Sequence, residues 1–207
     1  METHVVDHPL ASERLTRMRR EATERPEFRR VLDELSQFVV YEALRSLPAT
    51  TIDIDTPLEP TTGTTITDPP LLIPVMRAGL GMLDAALRLL PDARVGFLGL
   101  KRDEATLLPH AYVNTVPDDL AGKNCLILDP MLATGGSLVH TCDLLRASNA
   151  GSLTVACLLA APEGLDTLAA AHPDVTCWTA SIDTALNDVG FIRPGLGDAG
   201  DRQFGLA

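Results

Sequence analysis

Residues 125–137 read Cys125-Leu126-Ile127-Leu128-Asp129-Pro130-Met131-Leu132-Ala133-Thr134-Gly135-Gly136-Ser137, an apolar run that breaks into an acid, two adjacent glycines and two hydroxyls. The next residues, Leu138 to Ser148, return to helical spacing, so the segment is a strand, a loop and the start of a helix. Gly135 and Gly136 let backbone N–H groups approach a ligand, the helix adds its positive N-terminal end, and Thr134 and Ser137 supply hydroxyl donors. A phosphate suits that combination. Asp129 would repel phosphate but would accept hydrogen bonds from sugar hydroxyls, so residues 129–137 read as a cradle for a phosphorylated sugar. A Gly-Gly turn with Ser137 as helix N-cap and no ligand is the alternative that this segment alone leaves open.

The same strand, loop and helix order recurs on both sides. LLIPV (71–75), RVGFLGL (94–100), NCLILD (124–129), LTVACLLAA (153–161) and VTCWTAS (175–181) read as buried strands, while residues 80–90, 136–148 and 162–172 read as helices. Apolar strands alternating with helices predict an α/β fold, a doubly wound, mainly parallel sheet covered on both faces. Upstream, residues 26–47 place Phe28, Val31, Leu32, Leu35, Phe38 and Val39 at helical spacing behind Pro26, which suits the first turn. Between that helix and the first strand, residues 49–70 are rich in Thr and Pro, and TIDID (51–55) alternates like a strand. That segment is too long for an ordinary connection and predicts a β-arm reaching toward a second copy.

In a sheet of this kind ligands bind beyond the carboxyl ends of the strands, which directs attention to three further segments. Met76-Arg77-Ala78-Gly79 joins a strand to a helix and places Arg77 to hold a second anionic group. Lys101 to Thr106 is a charged run, either a solvated loop or a cover that brings Arg102 onto a polyphosphate. Asn187 to Arg202 contains four glycines and a proline interleaved with Phe191, Ile192 and Leu196. An ordered loop presenting peptide groups to a flat polar ligand explains that mixture better than a disordered tail does.

Composition removes several classes. The chain has 207 residues, 45% of them hydrophobic, and a formal charge of −11, which argues against disorder and against a basic nucleic-acid surface. No apolar run approaches the ~18 residues of a membrane helix, and METHVVDHPL has no secretory character, so a cytoplasmic chain is expected. Cys125, Cys142, Cys157 and Cys177 contain no C-x-x-C pair and read as core thiols. His4 and His8 are assigned to an N-terminal tail and His140 and His172 to helices, with no metal pair among them. There is no P-loop motif and no G-x-G-x-x-G after the first strand.

Taken together and in order, RAGLGM (77–82), the Arg102-Asp103-Glu104 loop, LDPMLATGGS (128–137), AAPEGL (160–165), AHPDV (171–175), TASID (179–183) and PGLGDAGDR (194–202) make the chain resemble the uracil phosphoribosyltransferases almost end to end. The resemblance implies one phosphoribosyltransferase domain over 1–207, with the base bound by 184–207. It implies transfer of phosphoribosyl from 5-phosphoribosyl 1-diphosphate to N1 of uracil, giving UMP and diphosphate in pyrimidine salvage. Arg77 and Arg102 would hold the diphosphate region, and Asp129, Pro130, Met131, Leu132, Ala133, Thr134, Gly135, Gly136 and Ser137 the ribose and its 5-phosphate. Ile192, Gly197, Asp198 and Ala199 would hold uracil, with Asp198 close to the reacting ribose and Arg102 and Asp198 the catalytic pair.

Pro130 follows Asp129 where phosphoribosyltransferases more widely carry a second acid, a departure that favours uracil over purines and leaves magnesium no obvious protein ligand. Mg2+ would then arrive on the diphosphate. Lys101 and Phe191 stand where family members carry tyrosine. A homodimer or higher homo-oligomer is expected, with no nucleic-acid or membrane partner, and GTP, an activator in part of the family, is a candidate effector. A nucleotide-sensing RNA-binding regulator on the same scaffold is the rival reading, and it would need the basic face that a charge of −11 disfavours.

Overall fold

Residues 1–102 and 109–205 are described by the computed structural model, with side chains given outside 101–111. The chain opens with a strand, β1 (Glu2–Val5), a helix, α1 (Pro9–Arg19), and the long helix α2 (Arg25–Ala43). An antiparallel hairpin, β2 (Thr50–Asp55) and β3 (Pro60–Thr65), leads into the alternating region: β4 (Leu71–Met76), α3 (Leu80–Leu89), β5 (Leu98–Arg102), β6 (Pro109–Asn114), β7 (Cys125–Leu128), β8 (Met131–Leu132), α4 (Gly136–Ala147), β9 (Leu153–Ala160), α5 (Pro162–Ala171) and β10 (Thr176–Ile182). A ribbon of β11 (Ala185–Leu186) and β12 (Ile192–Arg193) and a last short helix, α6 (Ala199–Phe204), follow.

The apolar runs form one sheet in the order β1-β10-β9-β7-β4-β5-β6, with β8 paired to β9. All its pairings are parallel except β6 against β5. Every residue of β7 is buried, as are Leu71 to Val75 of β4, because helices cover both faces and leave no solvent side for polar alternation. On one face α1, α2, α3 and α6 pack around Phe28, Leu32, Leu35, Met82 and Ala199; on the other, α4 and α5 bury Leu138, Cys142, Leu145 and Leu168. Each leucine so enclosed contributes about 1.5–3 kcal/mol of hydrophobic stabilisation. All four cysteines are free and buried, as expected of core thiols. Burial pushes the Cys125 thiol up to about 11 and the Cys142 thiol to about 12, which keeps both unreactive.

The chain runs from β4 outward to β5 and then returns to β7 on the other side of β4, so the direction of winding reverses between β4 and β7. A crevice opens at such a reversal, beyond the carboxyl ends of the two strands. Arg77 follows β4 and Asp129 follows β7, so both stand at its mouth.

Several elements depart from the sequence reading. The presumed N-terminal tail is β1, paired in parallel with β10, where the His4 ring stacks on Trp178 at 4.3 Å. Behind it lies α1, whose only buried side chains, Ala11, Leu15 and Met18, are too sparse among charges to advertise a helix, although Pro9 in its first turn and the His8 cap are local signals. His172 caps α5 rather than lying within it. Part of the polar stretch after β5 is the antiparallel strand β6. The 49–70 segment is a hairpin, as expected. Residues 184–205 are ordered into β11, β12 and α6, with Ile192 and Leu196 buried and Phe191 exposed. Among the described residues no helix is long and apolar enough to cross a membrane.

Candidate active site

The loop after β7 is held in three ways. The Pro130 carbonyl accepts from the Leu158 and Leu159 N–H groups at 3.0 Å, β8 continues the pairing with β9, and the Leu132 side chain is 1% exposed in the core. Residues 129–137 are therefore not one open loop: Pro130 and Leu132 anchor it, and the exposed part is Thr134 and Ser137. Gly135 adopts φ +84°, a left-handed turn that a side chain would strain, and α4 begins at Gly136 with no side-chain cap and no acidic residue in its first turn. Gly135, not Ser137, is thus the N-cap. The first N–H groups of α4 have no side-chain cap, an arrangement that attracts an anion.

Asp129 at the head of this loop is 8% exposed and, among the described residues, accepts only the Met131 N–H, at 3.3 Å. Burial without a cation pushes its carboxyl up to about 7. A carboxyl so placed, at a strand end in a crevice, fits a ligand-binding role better than a structural one. Arg77 is exposed across the crevice, its Nη2 3.7 Å from Asp201 Oδ1. The charged segment from Lys101 through Thr106 lies outside the described residues apart from the backbone of Lys101 and Arg102. That backbone ends β5, which runs parallel to β4, so Arg102 leaves the sheet at the same edge as Arg77.

Between these loops and the C-terminal segment lies a cavity of about 230 Å3. Ile192, Gly197, Asp198 and Ala199, the four residues expected to hold a flat ligand, all line it. Ala78 joins them from the loop after β4, and Met131 and Ala133 from the loop after β7. Ile192 and Ala199 are buried, at 5% and 2% exposure. The volume falls below the ~300–1,000 Å3 of pockets for drug-sized ligands and suits a single small ring. Asp198 is exposed; its Oδ1 accepts the Asp201 N–H at 2.8 Å and caps α6. Larger hollows of about 450 Å3 at the α1–α2 turn and 580 Å3 near the amino ends of β4 and β7 gather none of these loops.

Two arginines hold the loop in place. Arg19, at the end of α1, forks onto both oxygens of Asp183 and donates to the Gly195 carbonyl at 2.8 Å. Asp183 also accepts the Gly195 N–H at 2.9 Å and the Ser181 hydroxyl at 3.0 Å. Burial alone would raise the Asp183 pKa, but the Arg19 guanidinium and these donors outweigh it and hold the carboxyl below its usual range. Arg202 donates to the carbonyls of Leu196, Met18, Arg20 and Thr23 while lying 4.3 Å over the Phe28 ring. Sequence reasoning assigned no role to Arg19, Asp183 or Arg202, since each acts on partners far away in the chain.

Among the described residues no group of three His, Cys, Asp or Glu side chains could hold a metal ion. Asp129 alone is no cage, so the described residues do not fit a resident cation.

Comparison with known proteins gives this arrangement its kin. The family profile described as uracil phosphoribosyltransferase matches residues 5–206. The chain belongs to the uracil phosphoribosyltransferase family. It is 51% identical over 210 residues to a protein of Streptomyces avermitilis named uracil phosphoribosyltransferase, and 50% identical over 211 residues to one so named from a Nocardioides species. The first alignment covers all of both chains, the second all of this chain and 99% of the relative. A solved protein from Aquifex aeolicus superposes with a TM-score of 0.90 at 37% identity, covering 99% of each chain. A hypoxanthine-guanine phosphoribosyltransferase from Bacillus anthracis, at 14% identity and TM-score 0.54 over 77% of this chain and 80% of its own, shares the fold alone. Within a uracil phosphoribosyltransferase family fold, the AAPEGL segment also acquires a purpose: a Cβ on Gly164 would meet the Ala133 carbonyl at 2.3 Å, so the start of α5 closes directly behind the loop after β7.

Proposed function

We propose that this chain transfers phosphoribosyl from 5-phosphoribosyl 1-diphosphate to N1 of uracil, releasing diphosphate and forming UMP. The observation that carries this reading is the single cavity in which the base-loop residues meet Ala78 from the Arg77 loop and Met131 and Ala133 from the Asp129 loop. The 5-phosphate sits on the N-terminal turn of α4 among Thr134, Gly135, Gly136 and Ser137. Asp129 accepts the ribose hydroxyls, Arg77 and Arg102 receive the diphosphate, and uracil lies against Ile192, Gly197 and Ala199 with Asp198 beside the ribose. The N1–C1 bond forms as the bond from C1 to diphosphate oxygen breaks, and the N1 proton is lost. No protein nucleophile takes part. The chain contributes by positioning the two substrates and by placing Arg77 and Arg102 against the charge that grows on the leaving group. Magnesium reaches the site on the diphosphate, consistent with its reluctance to shed water.

Base choice tests this reading. A backbone N–H aimed at uracil O4 would meet the amino group of cytosine donor to donor, a buried mismatch of about 1–3 kcal/mol or more. Radiolabelled assays with phosphoribosyl diphosphate and magnesium should show kcat/KM for uracil at least ~10-fold above cytosine, with 5-fluorouracil, which keeps the same edge, still a substrate. Equal values for uracil and cytosine would refute the backbone-reading model, and no transfer to any base would refute the activity.

Assembly is a second proposal. The β2–β3 hairpin is exposed along nearly its whole length, with Ile52 and Ile54 each 40% and Leu58 95% accessible. An isolated two-stranded hairpin is marginal in water, so it packs on a second copy of the chain. Light scattering at assay concentration should give a multiple of 22.2 kDa, and a monomer would defeat the proposal.

A further inference from the structure

Gln203 is fully buried on α6, and its amide makes an unusual pair of contacts. Nε2 donates to the Ala78 carbonyl at 3.1 Å and to the Ala199 carbonyl at 2.9 Å. Ala78 belongs to the loop that presents Arg77, Ala199 opens α6 one turn before Gln203 where the base loop ends, and both line the 230 Å3 cavity. The same side chain carries a defect: among the described residues Oε1 has no hydrogen-bond partner. It abuts α3 so closely that a Cβ on Gly81 would lie 1.8 Å from it. A methionine would fill this space with no orphaned oxygen but would forfeit both hydrogen bonds from Nε2, so the amide is kept at the cost of a buried acceptor. What the amide adds is a rigid tie between the two walls of one cavity.

We propose that Gln203 is a positioning residue that couples the diphosphate side of the site to the base side. Its neighbours on α6 extend the tie, since Asp201 lies 3.7 Å from Arg77 and Arg202 holds the Leu196 carbonyl at 2.8 Å. An anion that settles the Arg77 loop fixes the Ala78 carbonyl, Gln203 transmits that position to Ala199, and the base loop is then already ordered when uracil arrives. Coupling of this kind is reciprocal: each substrate tightens the binding of the other by the same factor. The inference rests on the transferase reading above and adds to it a route between the two substrate sites.

Calorimetric titration of uracil into the full-length protein, alone and with saturating diphosphate and magnesium, reads the coupling directly. The wild type should bind uracil at least ~5-fold more tightly with diphosphate present. Gln203→Met should bring that ratio close to one. Gly81→Ala, which displaces the amide while leaving Gln203 itself in the sequence, should do the same. Combining Gly81→Ala with Gln203→Ala removes the contact with the amide and leaves the 2.9 Å approach to the Leu32 Cδ2 methyl, so the melting temperature should partly recover relative to Gly81→Ala while the ratio stays lost. A purely structural Gln203 would lower the melting temperature of Gln203→Met and leave the ratio intact, which overturns the proposal, as would a wild type with no ratio. A wild type that neither binds uracil nor transfers phosphoribosyl to it would instead overturn the proposed function.

Discussion

Gly136→Val is expected to raise the KM for 5-phosphoribosyl 1-diphosphate by about 100-fold, the scale of loss seen when a reacting group is misplaced by an ångström, with the fold intact. A Cβ on Gly136 meets only Thr134 Oγ1, at 3.9 Å, so the body of the protein has room for the new side chain. The room is the point. Gly136 is the first residue of α4, in the uncapped turn where the phosphate is proposed to lie, so the added methyl groups occupy the ligand's place. Gly135→Val is the contrasting control. At φ +84°, with the Gly164 carbonyl 2.8 Å from its added Cβ, that change strains the loop itself and should lower the melting temperature as well as activity. Steady-state kinetics with thermal denaturation separate the two, and an unchanged KM in Gly136→Val would remove the α4 terminus from the site.

Asp129→Asn should make the ligand-free protein more stable and nearly inactive. The folded carboxyl titrates near 7 and the unfolded one near 4, so the group's contribution is most favourable below about pH 4 and is lost as pH rises toward 7. At 1.36 kcal/mol per unit, three units bound the penalty at about 4 kcal/mol at pH 8. Asparagine removes it, and for a chain of this length the melting temperature should rise by up to about 8–16 °C at pH 8 and hardly at all at pH 4. Activity moves the other way. Hydrogen bonds from ribose hydroxyls to a charged acceptor contribute about 1.5–3 kcal/mol each, so losing the charge should lower kcat/KM by about 100-fold or more. A variant that keeps wild-type activity, or gains no stability at pH 8, would show that Asp129 is an ordinary buried acid rather than a ligand-facing one.

Such opposition between stability and activity is what a binding group buried in advance of its ligand produces. Asp183 shows the opposite design: equally enclosed, it is paired with Arg19, held below the usual carboxylate range, and serves the loop rather than the substrate. Its ion pair is complete above about pH 4 and weakens only as pH falls through its lowered pKa.

The sequence by itself determined the alternating sheet and marked the strand-end segments around Arg77 and Asp129 that line its crevice. Those features depend on neighbours along the chain: apolar strand runs, a Gly-Gly turn before a helix, an arginine or acid at a strand's end. The choice of Ile192, Gly197, Asp198 and Ala199 within the C-terminal segment rested on the family resemblance, while the glycines interleaved with apolar residues predicted only that this segment is ordered. Only the tertiary structure decided what holds that loop and joins it to the rest. Gln203 reaches Ala78 across 125 positions, Arg19 reaches Asp183 across 164 and Arg202 reaches Met18 across 184. β1 owes its existence to β10, and α1 to the sheet face that it covers. A polar side chain in sequence looks the same whether it faces water or a carbonyl buried by a distant element, and the difference appears only when packing removes the water.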